Sequence, residues 1–596
     1  MTTKNAPFPG LLLLFLLLVS PAAFAQTYNT LWVPDTLSGT NFNLAVKDTF
    51  AQLVSGNQTI TGGLNRSRFW GPTLIMNKGA NVQLNVTNKL NDTTTMHWHG
   101  MHLPAVMDGG PYQPIPPGTV WRPYWTVRNQ AATLWYHPHL HEMTQAQMTK
   151  GVGGFIIIRD AAEAALALPR KYGVDDFVLA LTSRRFLSSN QMAATLSDNY
   201  GDYMMVNGTL NPQVSLPRQV VRLRILNAEV QRGYNLGFSD NRPFYVIGND
   251  GGLLNAPVAV TRLTVHTGER YEILVDLTGS AVGASLFLKA YNSTAEVLAT
   301  LPGTQTGNAA FGFPGLEGRA TTPTGNNGPL NGSLLNNVDF NVLKINVVAA
   351  TAAPRTTIPA TLINNTYWSA ANATSSRTLT VTGGQGGTAF SFNNLFYRKG
   401  VINQTVAYNA LERWTITNNN IFGHAFHLHD VSFNIISRSG GTQGTTIRAY
   451  EQGWKDVVWL PVGGSVTFLA KFEDYADPTW PYMYHCHALT HEDEGMMGTF
   501  KVIGTTTAVT AAARAAAGFT VYPNPAQSRL NIGFNTPGAS AYYVRVLDAV
   551  GRTIYMLPRP PLQDGIDVSG FDRGVYYVQL TDEKTRITTT QKFTKE

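Results

Sequence analysis

The stretch His485-Cys486-His487-Ala488-Leu489-Thr490-His491-Glu492-Asp493-Glu494-Gly495-Met496-Met497 carries the only cysteine of the chain, with histidine on both sides of it. An extended backbone sends successive side chains to opposite faces, so a strand here turns Cys486 away from His485 and His487. One face can then serve one site and the opposite face another. A lone thiol has no partner for an internal disulfide, so its use must lie elsewhere.

Three further clusters share this chemistry: His97-Trp98-His99-Gly100, Trp135-Tyr136-His137-Pro138-His139 and His424-Ala425-Phe426-His427-Leu428-His429. Together the four hold ten of the thirteen histidines. In a strand the two rings of an H-x-H pair lie on one face, roughly 6 to 7 Å apart. The pairs 97/99, 137/139, 427/429 and 485/487 bring eight imidazoles, enough for a cluster of three metal ions, and imidazole suits copper. On the other face, His424, Cys486 and His491 offer the two-histidine, one-cysteine set of a blue copper centre, with Met496 as a weak axial thioether. The backbone at Cys486 would join the two sites over a distance on the order of 10 Å. One H-x-H alone reads equally well as a pair of satisfied histidines; four of them with a cysteine between two imidazoles do not. Structural zinc wants four ligands, far fewer than are present.

At 596 residues the chain exceeds one ordinary hydrophobic core, and three or four domains are expected. Charged residues make up only 14%, and short alternating stretches such as Val82-Gln83-Leu84-Asn85-Val86 are broken by Gly, Pro and Asn. That pattern predicts an all-β chain of sandwiches. A net charge of +7 without basic runs points to neither nucleic acid nor a membrane surface.

Residues 1–25 read as a secretory signal peptide: Lys4, an apolar run from Leu11 to Val19, then Ala23-Phe24-Ala25 before Gln26. The run is short for a membrane span. Residues 26–160 form an expected first β domain with the first two clusters. A second, 161–350, contains only His266, beside a turn at Thr267-Gly268, and is expected to hold no copper. Its stretch 302–337, rich in Gly, Thr, Asn and Pro, reads as a long surface loop. A linker over 351–377 leads to a third domain, 378–505, with the last two clusters. A second linker, 506–518, precedes a small β module at 519–596.

The four clusters resemble the copper signatures of the multicopper oxidases, the family of laccases, ascorbate oxidase, bilirubin oxidase and bacterial copper-efflux oxidases. The resemblance covers roughly residues 30 to 505. It extends to Val106-Met107-Asp108-Gly109-Gly110-Pro111, Gly268-Glu269-Arg270-Tyr271 and Gly453-Trp454-Lys455-Asp456. It implies three cupredoxin-like β-sandwich domains and four copper ions: one type 1, one type 2 and two type 3. His97 and His427 match the type 2 ligands. His99, His137 and His487 match those of one type 3 copper, and His139, His429 and His485 those of the other. The implied reaction takes single electrons from a reducing substrate at the type 1 copper and reduces O2 to water at the trinuclear cluster. Asp108 and Glu492 resemble the family's proton-supplying acids; read by themselves they are a turn residue and a solvated charge.

Residues 519–596 resemble the sorting domain of the type IX secretion system, on Tyr522-Pro523-Asn524-Pro525, Val546-Leu547-Asp548, Gly574-Val575-Tyr576-Tyr577 and the basic end at Lys592-Phe593-Thr594-Lys595. The expected protein is a secreted or cell-surface, laccase-like oxidase of phenols or similar small organics, its partners being O2, the donor and the secretion machinery. Two alternatives stand beside it: a metallo-oxidase of Cu(I) or Mn(II), and a copper-free structural or assembly relative. Met101, Met107, Met143 and Met148 lie near the first clusters, yet the 302–337 loop has no methionine to bind Cu(I).

Overall fold

The computed structural model describes residues 27–193, 200–293, 333–336, 338–384, 389–420, 422–441, 443–504, 519–534, 542–549, 553–558, 565–582 and 588–596. The expected leader (1–25), the 506–518 linker and the 302–337 loop apart from 333–336 lie outside these residues.

The described chain is built from β-strands stacked in pairs of sheets. In Asn81–Asn88 every second residue is buried, so Val82, Leu84 and Val86 enter a core while Gln83 and Asn85 between them face outward. Such a half-buried strand needs a second sheet over its apolar face. Asn41–Ala51, Thr59–Leu64, Val120–Trp121 and Tyr124–Thr126 complete its sheet, and the covering sheet runs Thr36–Ser38, Thr73–Asn77, Gly154–Arg159, Ala132–His137, His97–His99.

The second pair comprises a six-stranded and a seven-stranded sheet, the third two five-stranded sheets, and the C-terminal module a three-stranded and a four-stranded sheet. Two boundaries differ from expectation. Asn29–Thr30 leaves the first unit to pair in parallel with Pro212–Pro217 of the second, and strand Ser375–Thr382 begins inside the expected linker. The rest of that connector stays close to the second unit, where Val220 donates to Arg355 O at 2.7 Å and Leu362 to Asn255 O at 2.9 Å.

Asp176–Arg184 is buried along its whole length. Its alternate residues feed two cores: Phe177, Leu179 and Leu181 the interior of the second sandwich, Val178 and Ala180 a shared core with Trp70, Trp135, Phe155 and Leu489. The first three units are therefore joined by apolar packing. No helix among the described residues is long and apolar enough to cross a membrane.

Candidate metal centres

Five elements carry the site: strand β1 (His97–His99), strand β2 (Ala132–His137), strand β3 (His424–Leu428), strand β4 (Tyr482–Cys486) and helix α1 (Leu489–Asp493). β1 and β2 pair antiparallel with His97 opposite His137. β3 and β4 pair with His427 opposite His485 and Phe426 opposite Cys486. Directly opposed residues share a face, so the register alone gathers imidazoles on one side and sends Cys486 with Phe426 to the other.

On that other side Cys486 Sγ lies 3.5 Å from His424 Nδ1 and 3.5 Å from His491 Nδ1. Met496 is fully buried in the same core. Its carbonyl accepts from Cys486 N at 3.1 Å, and its own N–H donates to His491 O at 2.8 Å. Burial pushes the Cys486 thiol up to about 12, so a thiolate here needs an adjacent cation. Burial likewise holds His491 down at about 3. Two neutral rings and a sulfur, all buried, make a donor set that fits a soft metal ion.

The eight remaining imidazoles meet between β1, β2, β3, β4 and the residues just after them. His97 Nδ1 donates to Asp108 O, His427 Nδ1 to Asp456 O and His137 Nδ1 to Pro138 O, each at 2.8 Å. Those bonds fix the tautomers and leave the three Nε2 atoms buried without a partner. His485 Nε2 faces His139 Nε2 at 3.1 Å and His429 Nε2 at 3.2 Å, and His487 Nε2 faces His99 Nδ1 at 3.2 Å. Lone pairs turned toward one another in a dry interior are costly unless a cation lies among them. Burial, then the charge that neighbouring rings would carry, holds His99, His137, His139, His427 and His485 well below the usual imidazole range. The rings are thus kept neutral, the form that binds metal.

Both carboxylates singled out in the sequence reach this cage. Asp108 Oδ2 accepts from His429 Nδ1 at 2.8 Å, and its Oδ1 lies 3.4 Å from His97 Nδ1. Burial would raise this carboxyl, but His429 and His97 hold it well below the ordinary carboxylate range. Glu492 is the opposite case. Its oxygens lie 3.1 Å from His139 Nδ1 and 3.3 Å from His485 Nδ1, yet burial, followed by the charge of Asp493, raises it well above the usual range. Asp108 is not the solvent-facing turn residue, nor Glu492 the solvated charge, that each could have been.

Asp456 and Arg270 are part of the surroundings, and the sequence assigned them no role. Asp456 Oδ1 is 3.2 Å from His99 Nε2, and Arg270 grips both Asp456 oxygens at 2.6 and 2.5 Å. Lys455 Nζ beneath them reaches Asp250 at 2.9 Å and Glu269 at 3.0 Å. Their signal was charge at the start of largely buried strands: Arg270 opens Arg270–Asp276, and Lys455 and Asp456 immediately precede Val457–Leu460. Gly268, at φ +81°, belongs to the same wall: a Cβ there would come within 2.7 Å of the His487 ring. His266 stands apart from the cage, its ring stacked on Trp459 with centroids 4.1 Å apart.

Paired β-sandwiches that close a cysteine-histidine set and an eight-imidazole cage define a redox copper protein. Comparison with known proteins agrees. Residues 46–163, 180–301 and 370–505 each match a family model described as multicopper oxidase, and residues 520–596 match a secretion system C-terminal sorting domain. The chain is 30% identical over 453 residues to the cell division protein FtsP of Escherichia coli K12, covering 75% of this chain and 86% of that protein. It is 29% identical over 442 residues to the bilirubin oxidase of Albifimbria verrucaria, covering 72% and 71%. The solved structure of a laccase-like multicopper oxidase, CueO, from Ochrobactrum sp. superposes with a TM-score of 0.68 at 27% identity, covering 79% of this chain and all of that one. The chain belongs to the multicopper oxidase family and is an oxidoreductase enzyme. Membership implies copper, oxygen and a reducing donor; the C-terminal module implies a secretion machinery.

Proposed function

We propose that this oxidase takes electrons singly from phenols or similar small organic donors and delivers them to O2, which is reduced to two waters. One observation carries the reading. Cys486 stands between the two centres: its Sγ faces His424 and His491, while its carbonyl oxygen accepts from His485 Nδ1 at 3.1 Å on the cage side. An electron arriving at the sulfur therefore has a short covalent and hydrogen-bonded path to the cage.

In this reading four coppers are bound, and they supply the one-electron steps that side chains cannot. His424, Cys486, His491 and Met496 hold the type 1 ion, and His97 with His427 the type 2 ion. His99, His137 and His487 hold one type 3 ion, and His139, His429 and His485 the other. Making two waters consumes four protons in a buried space. Glu492, kept protonated by burial, stores one beside His139 and His485; Asp108, kept ionised by His429 and His97, orients those rings. The leader and the 519–596 sorting module make the protein a type IX export substrate, released or held at the cell surface.

Organic donors are favoured over cuprous ion because Met101, Met107 and Met148 are core residues, leaving only Met143 half-buried, so these methionines offer no open thioether cradle. The Phe390 and His491 ring centroids are 4.3 Å apart, and exposed Phe396 lies beside Gly495, which suits an aromatic donor. The names of the relatives, a bilirubin oxidase and a laccase-like enzyme, point the same way. The cell division relatives keep a structural role as the second reading. Steady-state kinetics on copper-loaded protein with a phenol, bilirubin, Cu(I) and Mn(II), recording oxygen uptake, tests both. The highest kcat/KM is expected for an organic donor. A metal ion leading would overturn the substrate, and no uptake with any donor would leave the structural role.

A further inference from the structure

A cavity of about 260 Å³ opens where the first three sandwiches meet, walled by Trp368 and Trp454 and containing His102, Ser432 and Asp474. Ser432 Oγ lies 3.2 Å from His102 Nε2, and His102 Nδ1 lies 2.8 Å from Asp474 Oδ2. His102 N–H donates to Asn129 Oδ1 at 3.0 Å, which anchors that residue, and Arg128 Nη1 sits 3.3 Å from Asp474 Oδ1. The three residues come from separate loops: after β1, after β3, and after strand Gly464–Lys471. None is among the proposed copper ligands.

The arrangement has the order that nucleophilic catalysis needs. Burial would raise the Asp474 carboxyl, but His102 and then Arg128 hold it below the ordinary range. An ionised Asp474 accepts a hydrogen bond from the Nδ1–H of His102, which leaves Nε2 as the basic nitrogen facing the serine hydroxyl. The His102 and Asp474 side chains are 21% and 14% exposed, so the site is open to a substrate yet partly screened from water. Lys78, Arg128 and Lys471 line the same cavity and can balance a developing oxyanion.

We propose that Ser432, His102 and Asp474 form a second, metal-independent active site that hydrolyses aryl carboxylic esters. Ser432 Oγ bonds to the ester carbonyl carbon as its proton passes to His102 Nε2. The ester C–O bond then breaks, and the departing phenol oxygen takes that proton. Water attacks the acyl group on Ser432, gives a proton to Nε2, and the serine recovers it as the carboxylic acid leaves. The sum is ester plus water giving acid plus phenol, with no oxidant. Ser432 and His102 act on the substrate, and Asp474 positions His102. The phenol released belongs to the donor class proposed above, a link that rests on that reading; the hydrolysis itself does not.

The copper-loaded full chain is treated with a fluorophosphonate probe, the label is located by peptide mass, and hydrolysis of p-nitrophenyl benzoate is followed in parallel. We expect the label on Ser432. Ser432→Ala and His102→Gln are expected to lower hydrolysis by about 100-fold or more, with copper content, blue absorbance and phenol oxidation unchanged. Asp474→Asn should lower kcat and leave KM in place. Hydrolysis should also survive copper chelation, which separates its fate from that of the oxidase. An unlabelled Ser432 in folded wild-type protein, or full hydrolysis by Ser432→Ala, would overturn the proposal.

Discussion

Cys486 owes its importance to its buried place between two sets of histidines. With burial pushing its thiol up to about 12, the sulfur ionises only beside a cation. Cys486→Ser is therefore expected to lose the intense blue absorption and donor oxidation together, as spectroscopy and oxygen uptake will record; retained blue colour would remove Cys486 from the type 1 site. Glu492 calls for a different experiment because the part proposed for it is to supply a proton. Glu492→Gln keeps the shape but has no proton to give. Dioxygen reduction should slow on the order of 100-fold while the blue band persists, and unchanged turnover would exclude it as a proton donor.

Strand pairing decides where these side chains meet, and a buried charge network holds the second sandwich against the first. Asp176 receives Arg224 Nε at 2.7 Å and Arg159 Nη2 at 3.1 Å. Burial works against its ionisation, but Arg224 and then Arg222 overcome it and lower the carboxyl from 3.8 to about 2. A depressed folded value means the unfolded chain binds the proton first as pH falls. This contribution is present above pH 3.8 and is lost between there and about 2; it is on the order of 2 kcal/mol. Urea unfolding at a series of pH values should show Asp176→Asn less stable than wild type at pH 7, because Arg224 and Arg159 lose their counter-charge. The variant should also lose less on acidification, and parallel pH profiles would contradict the assignment.

Across the entire chain, every proposed ligand precedes Gly504, and the C-terminal module has its own core around Phe519, Val544, Val546 and Phe593. A chain ending at residue 504 should keep its copper, its blue absorbance and its oxygen consumption, measured by metal analysis and an oxygen electrode; loss of copper would show that the module helps build the site. Fold class and the candidate ligand set could be read from local pattern, because alternation along a strand is a property of neighbouring residues and H-C-H carries its own geometry. Asp456, Arg270 and Gly268 could not be placed that way, since each matters only for what lies against it across the sandwich interfaces. The same holds for the protonation of Asp108 and Glu492: two carboxyls of one chemistry, one driven to ionise by two imidazoles and the other kept neutral in a dry pocket. Ser432, His102 and Asp474, far apart along the chain, likewise meet only through packing, because burial and charge at a point in space sum over every segment that passes it.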